Sequence, residues 1–111
     1  MVEFKAMVEE RELPKKQDID TTLKERGNQY GEFKEHARIT QNIKKAMKGS
    51  PNWQHLTASM KESLEMVAHK MGRILNGNPE YLDSWHDIIG YIRLVEQELE
   101  QLHWNEHKLG E

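Results

Sequence analysis

An all-α fold, an antiparallel bundle of three to four helices completed by oligomerisation, is what this 111-residue chain predicts. Three observations lead there. Apolar residues recur at helical spacing, most cleanly in Leu64, Val67, Ala68, Met71, Ile74 and Leu75. Apolar residues make up 36% of the chain and charged residues 32%, a balance suited to helices that bury one stripe and keep the rest wet. Helix stops stand between the periodic stretches, at Gly49-Ser50-Pro51 and Gly77-Asn78-Pro79. The length suits one domain, residues 1–111, around a modest core.

Taken in order, residues 1–16 are a charged lead-in. Phe4, Met7 and Val8 fit either a short amphipathic helix or a mobile arm. Asp18 or Asp20 is placed to cap a helix beginning near Thr21. Ile19, Leu23, Tyr30, Phe33 and Ala37 share one of its faces. Gly27 and Gly31 interrupt that pattern, so a break is expected over 26–31, followed by a cleaner helix from Gly31 to Lys48 that ends at Gly49. Residues 50–58 form a loop whose Trp53 and Leu56 plug one end of the core.

The next helix starts at Thr57 or Ser59; with Ser59 as N-cap, Glu62 completes a capping box. Gly77 ends it, Asn78 caps the following helix, and Pro79 takes its first position. So short a connection makes the two helices antiparallel neighbours. The last helix runs to Leu102 or beyond, with Trp85, Ile88, Ile92, Val95, Leu99 and Leu102 along one face. Gly90, Tyr91 and Leu94 lie off that stripe and suggest a second contact surface. Residues 103–111 read as a polar tail, in which His103 and His107 lack a third metal ligand.

Composition narrows the chemistry. Cysteine is absent, which removes disulfides, thiolate nucleophiles and Cys-ligated zinc. A net charge of −3, with only Lys44, Lys45 and Lys48 as a basic edge, argues against a nucleic-acid partner. Apolar runs of a few residues predict no membrane span, and the N-terminal residues show no signal-peptide core, so a cytoplasmic location is expected.

Four acids are the candidate chemistry. Glu62 and Glu65 share a face with His69 and Arg73 opposite the apolar stripe of their helix, and Asp83 and Asp87 stand one turn apart on the next. Two acidic pairs on neighbouring helices are a candidate oxygen donor set for Mg²⁺. The competing reading is an ordinary solvated face, with Glu62 serving as a cap. The RGNQYG stretch also has two readings. Its glycines let backbone amides approach a phosphate while Tyr30 stacks on a base, or they mark a helix break with Tyr30 packed beside Phe33. No strand precedes the stretch, which favours the second.

The spacing of Glu-x-x-Glu and the later D-x-x-x-D-I-x-G-Y resembles the all-α nucleotide pyrophosphohydrolases of the MazG and dCTPase group. Glu62, Glu65 and Asp87 match that pattern, whereas position 84 is Ser and Asp83 is displaced by one residue. A longer stretch, residues 25–95, with ERGNQYGEF, ARITQNIKKAM, NWQHL and LNGNPEYLDSWHDIIGY, resembles a small phage and prophage family of unassigned function. That family is itself similar to the nucleotide modification associated domain. That longer resemblance implies phage origin and a host-cell cytoplasmic setting, and carries no catalytic residues across. The pyrophosphohydrolase resemblance implies conversion of a nucleoside triphosphate to monophosphate and pyrophosphate. Glu65 and Asp87 would be the catalytic acids, and Glu62, Glu65, Asp83 and Asp87 the Mg²⁺ ligands. Arg26, Lys70 and Arg73 would be phosphate partners, since guanidinium and ammonium groups suit phosphate oxygens. A homo-oligomer is expected, because three helices do not enclose a nucleotide. The alternative is a non-catalytic accessory protein that binds a host protein or sequesters a ligand.

Overall fold

The computed structural model describes residues 16–110, with side chains from 18 to 107. Helix α1 spans Lys16–Tyr30, α2 Phe33–Lys48, α3 Ala58–Asn76 and α4 Leu82–Gly110, with a 3₁₀ turn at Trp53–His55. No strand occurs among the described residues, so the protein is all-α as its periodicity predicts. The reading of Phe4, Met7 and Val8 as a helix or arm lies outside the described residues.

The break between α1 and α2 falls at Gly31 and Glu32. Gly31 has φ +78°, and a Cβ there would collide with the Asn76 carbonyl, so both backbone conformation and space require glycine. The Asn76 side-chain amide donates to the carbonyls of Tyr30 (3.0 Å) and Glu32 (2.9 Å), and the Asn78 amide donates to Gln29 O (2.6 Å). The end of α3 therefore satisfies the backbone groups freed at the α1–α2 break.

Of the two expected starts of α3, Thr57 is the cap: its hydroxyl accepts from the Met60 amide at 3.2 Å, which leaves Glu62 outside any capping box. Two other expected boundaries shift. Asn78 does not cap α4. Its Oδ1 accepts from the Glu80 amide at 3.0 Å in an Asx turn, and α4 begins at Leu82. Asp18 and Asp20 lie inside α1, which starts at Lys16. At the other end, α4 continues to Gly110, so residues 103–110 belong to one long helix.

Helix α3 is the centre of the structure. Helix α4 packs antiparallel along it: Ser63 Oγ donates to Tyr91 O at 2.8 Å, and Lys70 meets Asp87. Helix α2 packs on a different side of α3, with His36 near His69 and Lys48 near Glu65. That second contact runs over small residues. Ala68 is 1% exposed and Gly72 is buried; a Cβ on Gly72 would strike Thr40 Oγ1 and come within 2.9 Å of His36 Cε1.

The packing inverts the expected layout. Among the described residues Ala68 is the only buried hydrophobic side chain, whereas His36, Thr40, Ser63, Lys70 and Ser84 are all buried. Helix α2 covers the polar face of α3 that a solvated reading leaves open. The apolar stripes of α3 and α4 stay partly open instead, with Leu75 64% and Ile92 46% exposed, as does Ile89 beside the second at 65%. The face of α1 and α2 carrying Ile19, Leu23 and Phe33 is likewise open, and Phe33 reaches 78%. Tyr30 therefore does not pack beside Phe33. It meets Tyr81 edge-on, with ring centroids 5.8 Å apart, and lies under Arg73.

Candidate functional site

The polar layer has two ends, joined along α3. At one end Glu65 pairs with Lys48 across the α2–α3 contact at 3.4 Å. Glu62, one turn earlier, is exposed. At the other end Lys70 Nζ meets Asp87 Oδ2 at 2.9 Å. The Lys70 side chain is 11% exposed and Asp87 44%, so the ammonium is sheltered while the carboxylate keeps a wet edge. This contact holds the Asp87 carboxyl below the ordinary carboxylate range, chiefly through the lysine hydrogen bond and then through its charge.

Arg73, one turn after His69, lies 4.0 Å from the centroid of the Tyr30 ring, a cation–π contact. Tyr30 leads to Tyr81, whose hydroxyl donates to Asp83 at 3.1 Å. That bond raises the Tyr81 pKa, because it favours the protonated phenol. Arg73 and Asp83 thus meet at Tyr30 and Tyr81, where the ends of α1 and α3 meet the start of α4. The Lys70–Asp87 pair lies about one turn further along the same two helices, and the Arg73 charge reaches Asp87. Ser84, the departure from the acidic pattern, is buried at 3% exposure and sits on the packed side of α4 between the two aspartates. An acid there would be a buried charge, which explains the serine physically.

Between the two ends lies a histidine pair. His36 Nε2 and His69 Nδ1 are 3.4 Å apart, and Thr40 Oγ1 is also 3.4 Å from His36 Nε2. His36 Nδ1 is buried without a well-formed hydrogen bond, the Gly72 backbone being its nearest partner. Burial is the main reason both imidazoles are driven toward the neutral form, and His69 is lowered to about 4. The charges of Arg73 and Lys44 act on both rings in the same direction, and that of Lys70 on His69. Two neutral rings ringed by cations suit an anion better than an added metal ion.

The four acids do not form one cluster within the chain. Glu65 and Asp87 are tied to different lysines, Asp83 to Tyr81, and Glu62 stands apart; among the described residues no three His, Asp or Glu side chains are grouped to hold a metal. Asp83 and Asp87 alone remain a two-carboxylate set, one turn apart. Arg26 is exposed on α1 and joins neither end of the layer.

Sequence reasoning did not single out His36, Thr40 or Tyr81, and saw Lys48 only as part of a basic edge. A signal was available in Ala68 and Gly72, two small residues one turn apart at the edge between the apolar stripe and the face of His69 and Arg73. Small residues there mark where a second helix comes close. No helix among the described residues is long and apolar enough to cross a membrane. Compared with family models, curated proteins and solved structures, the chain matches none.

Proposed function

We propose that the protein binds a nucleotide through its phosphates at the α1–α3–α4 junction, and that it is a phage-encoded relative of the MazG-like pyrophosphohydrolases. The observation that carries this reading is Arg73 stacked on Tyr30, which meets the Tyr81–Asp83 pair, with the Lys70–Asp87 pair about one turn along the same helices. Arg73 rests on an aromatic face instead of a carboxylate, so its guanidinium N–H groups are available for phosphate oxygens. Tyr30 and Tyr81 offer rings on which a base can stack. Asp83 and Asp87 are the carboxylates that would meet Mg²⁺ carried in on the phosphates, and the ion would neutralise phosphate charge. Asp87 must then exchange Lys70 for the metal, and its wet edge makes that exchange accessible. Glu62 and Glu65 take no part in this arrangement, and Arg26, exposed on α1 one turn before Tyr30, is assigned no contact in it.

Isothermal titration of deoxynucleoside triphosphates, with and without Mg²⁺, tests the proposal. Wild type should bind, Arg73→Ala should bind at least about tenfold more weakly, as loss of a charge-assisted contact implies, and Asp87→Asn should lose the Mg²⁺ dependence. Absence of binding in a wild-type protein of native helicity would sink the reading. Release of pyrophosphate in the same mixtures separates hydrolysis from binding alone.

A second reading, a non-catalytic accessory protein that binds a host protein, is favoured by exposed apolar side chains on α1 and α2, with Leu23 60% and Phe33 78% exposed. It expects capture of one specific host protein by wild type and loss of that capture in Phe33→Asp. Equal capture by both proteins counts against it.

A further inference from the structure

We infer that a second copy of this chain covers the open apolar face of the α3–α4 hairpin, so that two hairpins form a four-helix bundle with twofold symmetry. On α3 the partly open residues Leu64, Met71 and Leu75 fall at spacings of seven and four. On α4 Trp85, Ile89 and Ile92 fall at spacings of four and three. Both series follow the heptad rhythm of a helix that packs along its length against a further helix. Toward the free end of α4 the strip opens into a groove of about 830 Å³, lined on one side by Leu56, Met60 and Leu64 and on the other by Ile92, Val95 and Leu99.

Three arguments favour a second copy as the occupant. The first is necessity. With Ala68 the only fully buried hydrophobic residue among those described, a single chain leaves its apolar side chains half-buried at best, while backbone ordering costs about 1–2 kcal/mol per residue. The cover must therefore be present whenever the chain folds, and an identical chain always is. The second is area. Six residues between 38% and 65% exposed leave several hundred Å² of apolar surface per chain, on the order of the roughly 800 Å² per partner of a specific interface. The third is geometry. An antiparallel hairpin with an apolar strip along both helices is self-complementary under a twofold axis, because the copy presents the same strip in the reverse direction. The proposed nucleotide site does not enter this argument, and either conclusion stands without the other.

Sedimentation equilibrium on the full chain tests the inference. Wild type should sediment at twice the 13.1 kDa chain mass. Ile89→Glu and Ile92→Glu should each weaken self-association at least about tenfold, as a charge placed in an apolar contact implies, whereas Phe33→Glu on α2 should leave it unchanged. A folded wild-type monomer at high micromolar concentration overturns the inference, as does a dimer that survives both strip substitutions. If the glutamate variants do not fold, Ile89→Cys decides the matter, since the chain has no cysteine of its own. Spin labels at that position should show dipolar coupling between two copies, and absence of coupling overturns the proposed face.

Discussion

Two histidines and one ion pair set the most specific expectations at the scale of single residues. The folded protein favours neutral His36 and His69, whose values lie below the ordinary 6.5. The unfolded chain therefore takes up more protons in that window, and stability is complete above about pH 6.5 and falls as pH drops toward 4. Urea midpoints between pH 7.5 and 4.5 should decline in wild type and flatten in a His36→Gln, His69→Gln double variant. Asp87 acts in a lower window. Its depressed value contributes stability above the unfolded carboxylate pKa and loses it as pH falls through the folded value. The ion pair should also respond unequally to truncation. Asp87→Asn strands a sheltered ammonium, whereas Lys70→Met leaves a carboxylate that water can reach, so the first variant should lower the urea midpoint more than the second. Glu65, Lys70, Arg73 and Asp87 were all legible as candidates in the sequence. What pairs with each was not, because Lys48 is 17 positions from Glu65 in the chain and is placed beside it only by the α2–α3 contact.

Caps and close approaches decide the behaviour of whole elements. Thr57→Ala removes the side-chain acceptor at the start of α3 and should cost about 1 kcal/mol in chemical unfolding. Gly72→Ala places a methyl group against Thr40 and His36, so α2 must move away from α3; a loss of about 1–3 kcal/mol is expected from overpacking. The same substitution at Gly27, where nothing lies within 4 Å, should be neutral or stabilising, since alanine favours helix. Measuring the two together distinguishes a close-packing effect from a propensity effect. Helix positions were readable from periodicity and glycine, but starts moved by a few residues. At Asn78 the same side chain serves a cap or an Asx turn, and the contact of Asn78 with Gln29 in α1 selects the turn.

The molecule as a whole is organised with polar groups between helices and apolar groups at its surface. On the proposed pairing of two copies, stability becomes a property of the assembly. The midpoint of thermal unfolding should rise with protein concentration in wild type, whereas a self-contained monomer has a midpoint that does not depend on concentration. Ile92→Glu, with Ile92 46% exposed in the single chain, should be destabilising although an exposed position ordinarily tolerates such a change. Scanning calorimetry across a hundredfold concentration range reads both effects.

By itself the sequence determined the class and most of the elements: periodic apolar residues dictate helices, and glycine, asparagine and proline dictate where they stop, because these are local preferences of the backbone. It also marked the acids and cations on the polar face of α3. Only the tertiary structure decided which face of each helix turns inward. Periodicity separates an apolar face from a polar one but does not say which of them the next helix covers, and here Ala68 and Gly72, at the edge of the apolar stripe, let α2 settle over Glu65 and His69. That choice paired Glu65 with Lys48, set His36 against His69, and left the α3–α4 strip for something else to cover.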